Sequence, residues 1–232
     1  MRVLVTGASR GLGMGICQVF LRHGHHVIAA VRNPKRAGPL GELQKSYGTA
    51  LSIVAMDVSR EPEIAAARKE VARLAPTLDV IINNAGIEGN RCKRVEEADA
   101  GDIEQTFRVN VLGPILVTKH FASMLQGSRG GIIVNISSDA GSLTEIPLKY
   151  YGYCISKAAL NMFTRLCARE LKNRGIRVFA VHPGWVKTAM GGEEAPLMPE
   201  TAAEHLYRLI LDPPEEALSG AFVDYTGKRK PY

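Results

Sequence analysis

Short apolar runs rich in Val and Ile alternate with longer amphipathic stretches along the whole chain. The runs fall at 3–5, 26–31, 50–55, 78–82, 131–136, 176–181 and 220–224. Most are continuous rather than alternating in polarity, which is the mark of strands covered on both faces. Between them, apolar positions recur at helical spacing, as at Ile16, Val19 and Phe20, and again through 39–48, 61–74, 99–126, 151–174 and 199–211. The stretch 99–126 is expected to break near Gly113-Pro114, because proline removes a helical hydrogen bond. Asn110 stands in the otherwise apolar Val109-Asn-Val-Leu112 and needs partners if it is buried. Strand and helix alternate from start to finish. This predicts an α/β fold, a doubly wound parallel sheet flanked by helices, as one domain over 1–232.

Composition narrows the class. Hydrophobic content of 46% and charged content of 22% suit a soluble globular chain. No apolar run is long enough to span a bilayer, and no apolar leader precedes the first strand, so a cytoplasmic location is expected. The net charge is +6, but Lys and Arg are scattered and no basic stripe with interleaved aromatics suggests nucleic acid. The one tight basic run, Lys228-Arg-Lys230, reads as a solvated tail. The basic excess also suits an anionic, phosphate-bearing ligand. Cys17, Cys92, Cys154 and Cys167 lack paired metal spacing and read as free thiols. His23, His25 and His26 read as a turn between helix and strand, and no metal site is expected.

The first strand runs into Thr6-Gly-Ala-Ser-Arg-Gly-Leu-Gly13 and then a helix. Glycines there let the backbone approach a pyrophosphate, and the helix N-terminus offers free N–H groups. The spacing is Gly-x-x-x-Gly-x-Gly, not the commonest dinucleotide fingerprint. The second strand ends at Arg32, where an NAD-preferring protein usually carries an acid for the ribose 2′-hydroxyl. Arg32 and Arg10 would suit a 2′-phosphate, so NADPH is expected over NADH. Asp57 ends the third strand and either reaches an adenine or caps the next helix near Ser59. Tyr153 and Lys157 lie four apart at the start of a long helix, one turn above the other. A lysine ammonium beside a phenol lowers its pKa and equips it for acid–base work.

Taken in order, Thr6 to Gly13, Asp57-Val58, Asn83-Asn-Ala-Gly86, Asn110, Ser137-Ser138, Tyr153 to Lys157, and Pro183-Gly184 with Thr188 resemble the short-chain dehydrogenase/reductase family over nearly the whole chain. Within it the resemblance is to the small sniffer- and C-factor-like carbonyl reductases. The cues are Tyr-Gly-Tyr-Cys-Ile-Ser-Lys, His-Pro-Gly-Trp-Val-Lys-Thr and the ending Phe-Val-Asp-Tyr-Thr-Gly-Lys. The resemblance implies a single Rossmann-like domain with a seven-stranded parallel sheet. It implies Tyr153 as general acid or base and Lys157 as the group that lowers its pKa and holds the nicotinamide ribose. Ser138 would donate to the carbonyl oxygen, and Asn110 would hold a water for proton resupply. Ser138 is preferred to Ser137 as the second serine of the pair. The gap from Ser138 to Tyr153 is slightly long, as if a loop were inserted. The resemblance further implies cofactor contacts at Gly7, Ser9, Arg10, Gly11, Leu12, Gly13, Arg32, Asp57, Val58, Asn84, Ala85, Gly86, Tyr153, Lys157, Pro183, Gly184, Val186 and Thr188.

The function expected is NADP-dependent hydride transfer on a small carbonyl or alcohol. The alternative is a catalytically weak cofactor-binding sensor or signalling protein on the same fold. Leu143, Tyr150, Trp185 and Met190 are candidates to line an apolar pocket, and 189–198 reads as a short lid. A homodimer or a monomer is compatible with these readings.

Overall fold

Every apolar run forms a strand in the computed structural model, which describes residues 1–92, 94–125, 130–144, 150–212 and 218–232. The strands are β1 (Arg2–Thr6), β2 (His26–Val31), β3 (Leu51–Ala55), β4 (Val80–Asn83), β5 (Ile132–Ile136), β6 (Arg177–His182) and β7 (Phe222–Asp224). They form one sheet in the order β3-β2-β1-β4-β5-β6-β7, and every pairing is parallel. β4 starts later than the apolar run suggests, because Leu78 makes only an isolated bridge to Leu125. The helices are α1 (Gly11–Arg22), α2 (Gly38–Tyr47), α3 (Glu61–Leu74), α4 (Ala100–Phe107), α5 (Gly113–Phe121), α6 (Tyr151–Leu171) and α7 (Pro199–Leu211).

Strand periodicity explains the two cores. Val3 and Val5 of β1 point to one face, with Val27, Ala29, Val80, Ile82, Phe179 and Val181, and meet Ile16 and Phe20 of α1 and Leu206 and Ile210 of α7. Leu4 points to the other face, with Ile28, Ile81, Ile133 and Val178, and meets Ile64 of α3, Phe121 of α5 and Leu171 of α6. Both faces are covered, so neither needs polar positions. This is why the runs read as continuous. Chain direction across the sheet reverses between β1 and β4. Loops on either side of such a reversal splay apart and leave a crevice beyond the strands' carboxyl ends.

The break inside 99–126 falls one turn before the proline. Residues Arg108–Leu112 form a π turn, and α5 restarts at Gly113 with Pro114 in its first turn, where it has no N–H to lose. Proline cannot donate to the Asn110 carbonyl four residues back, so a wider turn there is the local consequence. Residue 126 of that stretch and 145–149 of the long gap before Tyr153 lie outside the described residues.

Lys228 and Arg229 are exposed, as a solvated run implies, but the segment is ordered and Lys230 is not free. The chain turns after β7, Asp224 N–H donates to the Lys228 carbonyl at 2.9 Å, and Lys230 N–H donates to the Phe222 carbonyl at 2.8 Å. Lys230 lies against Asp139, a partner far away in sequence that charge patterning alone does not disclose. The histidines of the first helix–strand turn serve packing. His23 stacks on Tyr207 at 4.1 Å, and His25 Nε2 is 3.2 Å from the Tyr207 hydroxyl.

Candidate active site

The glycine turn between β1 and α1 sits over the crevice. Gly7 has φ of 65°, and a Cβ there would stand 2.8 Å from the Ala85 Cα. Only glycine allows the turn to lie on the loop after β4. That loop braces it in return: Asn84 Nδ2 donates to the carbonyls of Thr6 and Gly7 at 2.8 and 3.2 Å, and Ala85 N–H donates to Thr6 Oγ1 at 3.0 Å. At Gly13, a Cβ would be 2.4 Å from the Gly7 carbonyl oxygen. α1 opens with no side-chain cap and no acidic residue in its first turn. Its first N–H groups are therefore left for an anion.

The neighbouring strand ends complete one side of this cradle. Ala8 N–H donates to the Ala30 carbonyl, and Met56 N–H to the Val31 carbonyl at 2.9 Å, so Arg32 and Asp57 flank the glycine turn. Arg10 and Arg32 are exposed. Among the described residues neither guanidinium has an ion pair. Asp57 accepts from the N–H and Oγ of Ser59 at 2.9 and 2.7 Å, which fixes the turn before α3. Val58 is buried against Gly113. On the far side, Thr188 packs on Gly11, where a Cβ would be 3.1 Å from its Cγ2. The loop Pro183 to Thr188 therefore reaches back over the glycine turn. Gly184, with φ of 84°, lets it pass close to Leu197 and Tyr225.

Tyr153 and Lys157 lie one turn apart on α6, at the carboxyl end of β5. Lys157 is buried, and its Nζ donates to the Ile136 carbonyl at 2.7 Å and lies 5.5 Å from the Tyr153 ring centre. Burial pulls its pKa down to about 8. Tyr153 keeps partial exposure to the crevice, yet the dense packing around its phenol pushes it up to about 12. The neighbouring Ser138 hydroxyl pulls the other way, and the charge of Glu88 adds to the rise. Desolvation, and not the lowering expected from Lys157, dominates the shift.

The two serines take different paths. Ser137 is buried and donates to Asn161 Oδ1 at 2.7 Å, whereas Ser138 engages the Tyr153 phenol. Asn110 is buried and fully engaged. Its Oδ1 accepts from the Ile87 N–H at 2.9 Å, and its Nδ2 donates to the Ile87 carbonyl at 2.8 Å and to Ser156 Oγ at 3.0 Å. Ser156 in turn donates to the Tyr153 carbonyl at 2.7 Å. The π turn thus ties the loop after β4 to the helix that carries Tyr153. Beneath it runs a ladder of buried polar groups: Asn83 to Asn135 at 2.8 Å, Asn135 to Thr164 at 2.9 Å, and Thr164 to the Leu160 carbonyl at 2.8 Å. These groups hold α6 to the sheet, and sequence reading singled out neither Ser156 nor this ladder. Single Asn and Thr residues inside apolar strands and helices were the available signal.

Three of the four candidate pocket residues, Leu143, Trp185 and Met190, are exposed. Leu143 is 73% exposed and Trp185 55%, with Trp185 Nε1 donating to the Gly191 carbonyl at 2.7 Å. Tyr150 lies under the Arg91 guanidinium at 5.0 Å. Segment 189–198 is pinned at both ends, by Gly191 N–H to Thr188 Oγ1 at 3.1 Å and by paired backbone bonds between Trp185, Lys187 and Leu197.

A parallel sheet with a glycine-rich turn at its point of reversal is the architecture of a nucleotide-binding α/β protein. Residues 1–197 match the family described as short chain dehydrogenase, and the chain belongs to that family. The NADPH-bound carbonyl reductase from chicken fatty liver superposes with a TM-score of 0.92 at 32% identity, over 100% of this chain and 98% of that one. Carbonyl reductase Sniffer of D. melanogaster superposes with a TM-score of 0.93 at 28% identity, over 100% and 99%. The C-signal protein of Myxococcus xanthus is 38% identical over 161 residues, 67% of this chain and 93% of its own length. No helix among the described residues is long and apolar enough to cross a membrane.

Proposed function

We propose that residues 1–232 act as one domain that reduces a small carbonyl compound with NADPH, or oxidises the corresponding alcohol. The observation that carries this is the grouping of Ser138 with the Tyr153 phenol, one helical turn from a buried Lys157 whose Nζ is held by the Ile136 carbonyl at 2.7 Å. The cradle fits a dinucleotide. Gly7, Gly11 and Gly13 let the turn pack tightly against Ala85, Thr188 and its own backbone, and the uncapped first N–H groups of α1 at Gly11 to Gly13 would meet the diphosphate. Ser9 and Leu12 lie in the same turn. Arg10 and Arg32, without ion pairs among the described residues, would hold a 2′-phosphate. Asp57 and Val58 would meet the adenine, while Asn84 braces the turn and Ala85 and Gly86 line the middle. Pro183, Gly184, Val186 and Thr188 would hold the carboxamide. Bound there, the nicotinamide supplies or takes the hydride.

The chain supplies the rest. A phenol held near 12 stays protonated at neutral pH and is a ready donor to an alkoxide. Ser138 offers a second hydrogen bond to the same oxygen as negative charge builds. The Lys157 ammonium, oriented by the Ile136 carbonyl, stabilises the phenolate left behind. Asn110 holds the geometry that resupplies the proton.

Oxidation of NADPH at 340 nm against quinones, aldehydes and ketones tests this reading, with Tyr153→Phe as control. Turnover should fall by at least about a hundredfold in the control while NADPH binding persists. Tight NADPH binding with no turnover across the panel would replace the enzyme with a cofactor sensor on the same fold. Equal turnover in Tyr153→Phe would remove the proposed acid.

A further inference from the structure

Ser138 opens a single tight turn, Asp139–Gly141, and its Oγ accepts from the Ala140 N–H at 3.2 Å. The turn is gripped from two sides. On one, Gly141 lies so close to α6 that a Cβ would be 2.7 Å from the Lys157 carbonyl carbon. On the other, Asp139 meets His182 at the end of β6 with two of its own groups. Its N–H faces Nδ1 at 3.4 Å and its Oδ2 faces Nε2 at 3.4 Å. One imidazole serves both only with its proton on Nε2, leaving Nδ1 to accept.

A third contact comes from residues 222–232. Lys230 Nζ stands 3.4 Å from Asp139 Oδ1, an oxygen that is buried and has no hydrogen bond among the described residues. Asp224, opposite His182 in the β6–β7 register, is the other charge that acts on this imidazole. Its Oδ1 already accepts from Thr226 and from the Lys228 N–H. The proton path and cofactor cradle proposed above employ none of these groups.

We infer that Asp139, His182 and Lys230 form a positioning cluster that fixes the direction of the Ser138 hydroxyl, with the Nε2-protonated neutral imidazole as its working form. The inference rests on the reading of Ser138 as donor to the substrate oxygen. Protonating His182 would place a hydrogen on Nδ1 against the Asp139 N–H, so the turn loosens as pH falls. Burial holds the imidazole below its ordinary pKa, against the pull of Asp139 and with the help of Lys230. Release therefore lies below the usual histidine range.

The test is kcat and KM for NADPH from about pH 5 to 8, in the wild type, Asp139→Ala, Asp139→Asn and Lys230→Met, with 15N NMR of the His182 ring. Asp139→Ala should lower kcat about tenfold with KM for NADPH within about twofold. Asp139→Asn, which keeps an oxygen to face Nε2, should recover most of that loss. Lys230→Met should move the acid limb of kcat to higher pH, since a cation that opposes protonation is gone. The NMR spectrum should show Nδ1 bare and Nε2 protonated. Wild-type kcat in Asp139→Ala, or a proton on Nδ1 at neutral pH, overturns the inference. If Asp139→Ala does not fold, the acid limb in Lys230→Met decides. If the wild type turns over no carbonyl, the functional reading fails by itself, and the His182 tautomer still decides the cluster.

Discussion

Replacing Asn110 by alanine should cost the chain about 3 kcal/mol, although no substrate atom need be involved. The side-chain amide makes three hydrogen bonds, to the N–H and carbonyl of Ile87 and to Ser156 Oγ. Each is worth about 1 kcal/mol net. The Ile87 backbone is only partly buried, so water relieves part of the penalty there, and Ser156 keeps its bond to the Tyr153 carbonyl. The loss should therefore stay near the sum of the three bonds. For a chain of this size about 3 kcal/mol lowers Tm by about 6–12 °C. Urea unfolding gives the free energy, and the slope should be unchanged. Asn110→Asp provides the internal check. A carboxylate still accepts from Ile87 N–H but faces the Ile87 carbonyl without a proton to give, so it should destabilise at least as much as alanine. A loss under about 1 kcal/mol for alanine, or an aspartate variant as stable as the wild type, would refute the reasoning. The amide would then be idle in the fold, and any activity lost would belong to chemistry alone.

Three further outcomes follow from the same geometry. Lys157 falls from an ordinary 10.5 to about 8 on folding, so between those values the unfolded chain holds a proton the folded chain has lost. Stability from this group is fully present above 10.5, is lost as pH falls through that window and is gone below about 8, a change on the order of 3 kcal/mol. Urea unfolding at several pH values should show this slope in the wild type and a flatter one in Lys157→Met; equal slopes would contradict it. Arg32→Asp should cut the preference for NADPH over NADH in kcat/KM by about tenfold to a hundredfold, since one charged phosphate contact is removed, and an unchanged ratio would free Arg32 from that role. Gly13→Ala drives a methyl to 2.4 Å from the Gly7 carbonyl oxygen and 2.6 Å from Asn84 Nδ2. It should weaken NADPH binding at least about tenfold and destabilise by about 1–3 kcal/mol, as read by fluorescence titration and thermal unfolding. Wild-type affinity would show that the turn yields.

The strand–helix order was legible because β1, β2 and β5 are apolar on both faces, a pattern that helices of this length do not share. Boundaries slipped where pairing, not polarity, decides them, as at Leu78, which is apolar and buried yet bridges only Leu125. The glycine turn was legible as a motif, but the reason for Asn84 was not. Its amide faces Thr6 and Gly7, some 78 residues away in sequence, and only the parallel pairing of β1 and β4 brings them together. The same holds for Lys230, whose partner Asp139 lies across two strands of the sheet. A short motif shows which residue types gather at a site, and long-range pairing shows which of them face one another. The direction of the Tyr153 shift was also hidden, because it depends on packing density around the phenol rather than on the lysine four residues on.

Burial acts on the central pair in opposite senses. It moves Tyr153 up to about 12 and Lys157 down to about 8. Both shifts favour the neutral form of each group, because dense packing excludes water from phenolate and ammonium alike. Lysine remains charged below about 8, so at neutral pH the site holds a protonated phenol beside an ammonium. That combination can give a proton and cannot readily take one. In the proposed reaction, reduction finds its acid ready at neutral pH in Tyr153, whereas oxidation first needs the phenolate. Each interaction that orients Lys157 toward the phenol lowers that second requirement, and the Ile136 carbonyl at 2.7 Å is the one the chain itself provides. Through this arrangement β5 helps to set the geometry of the proposed site. The last carbonyl of a buried strand sets where the ammonium points, and the ladder from Asn135 to Thr164 sets how far α6 stands from that strand.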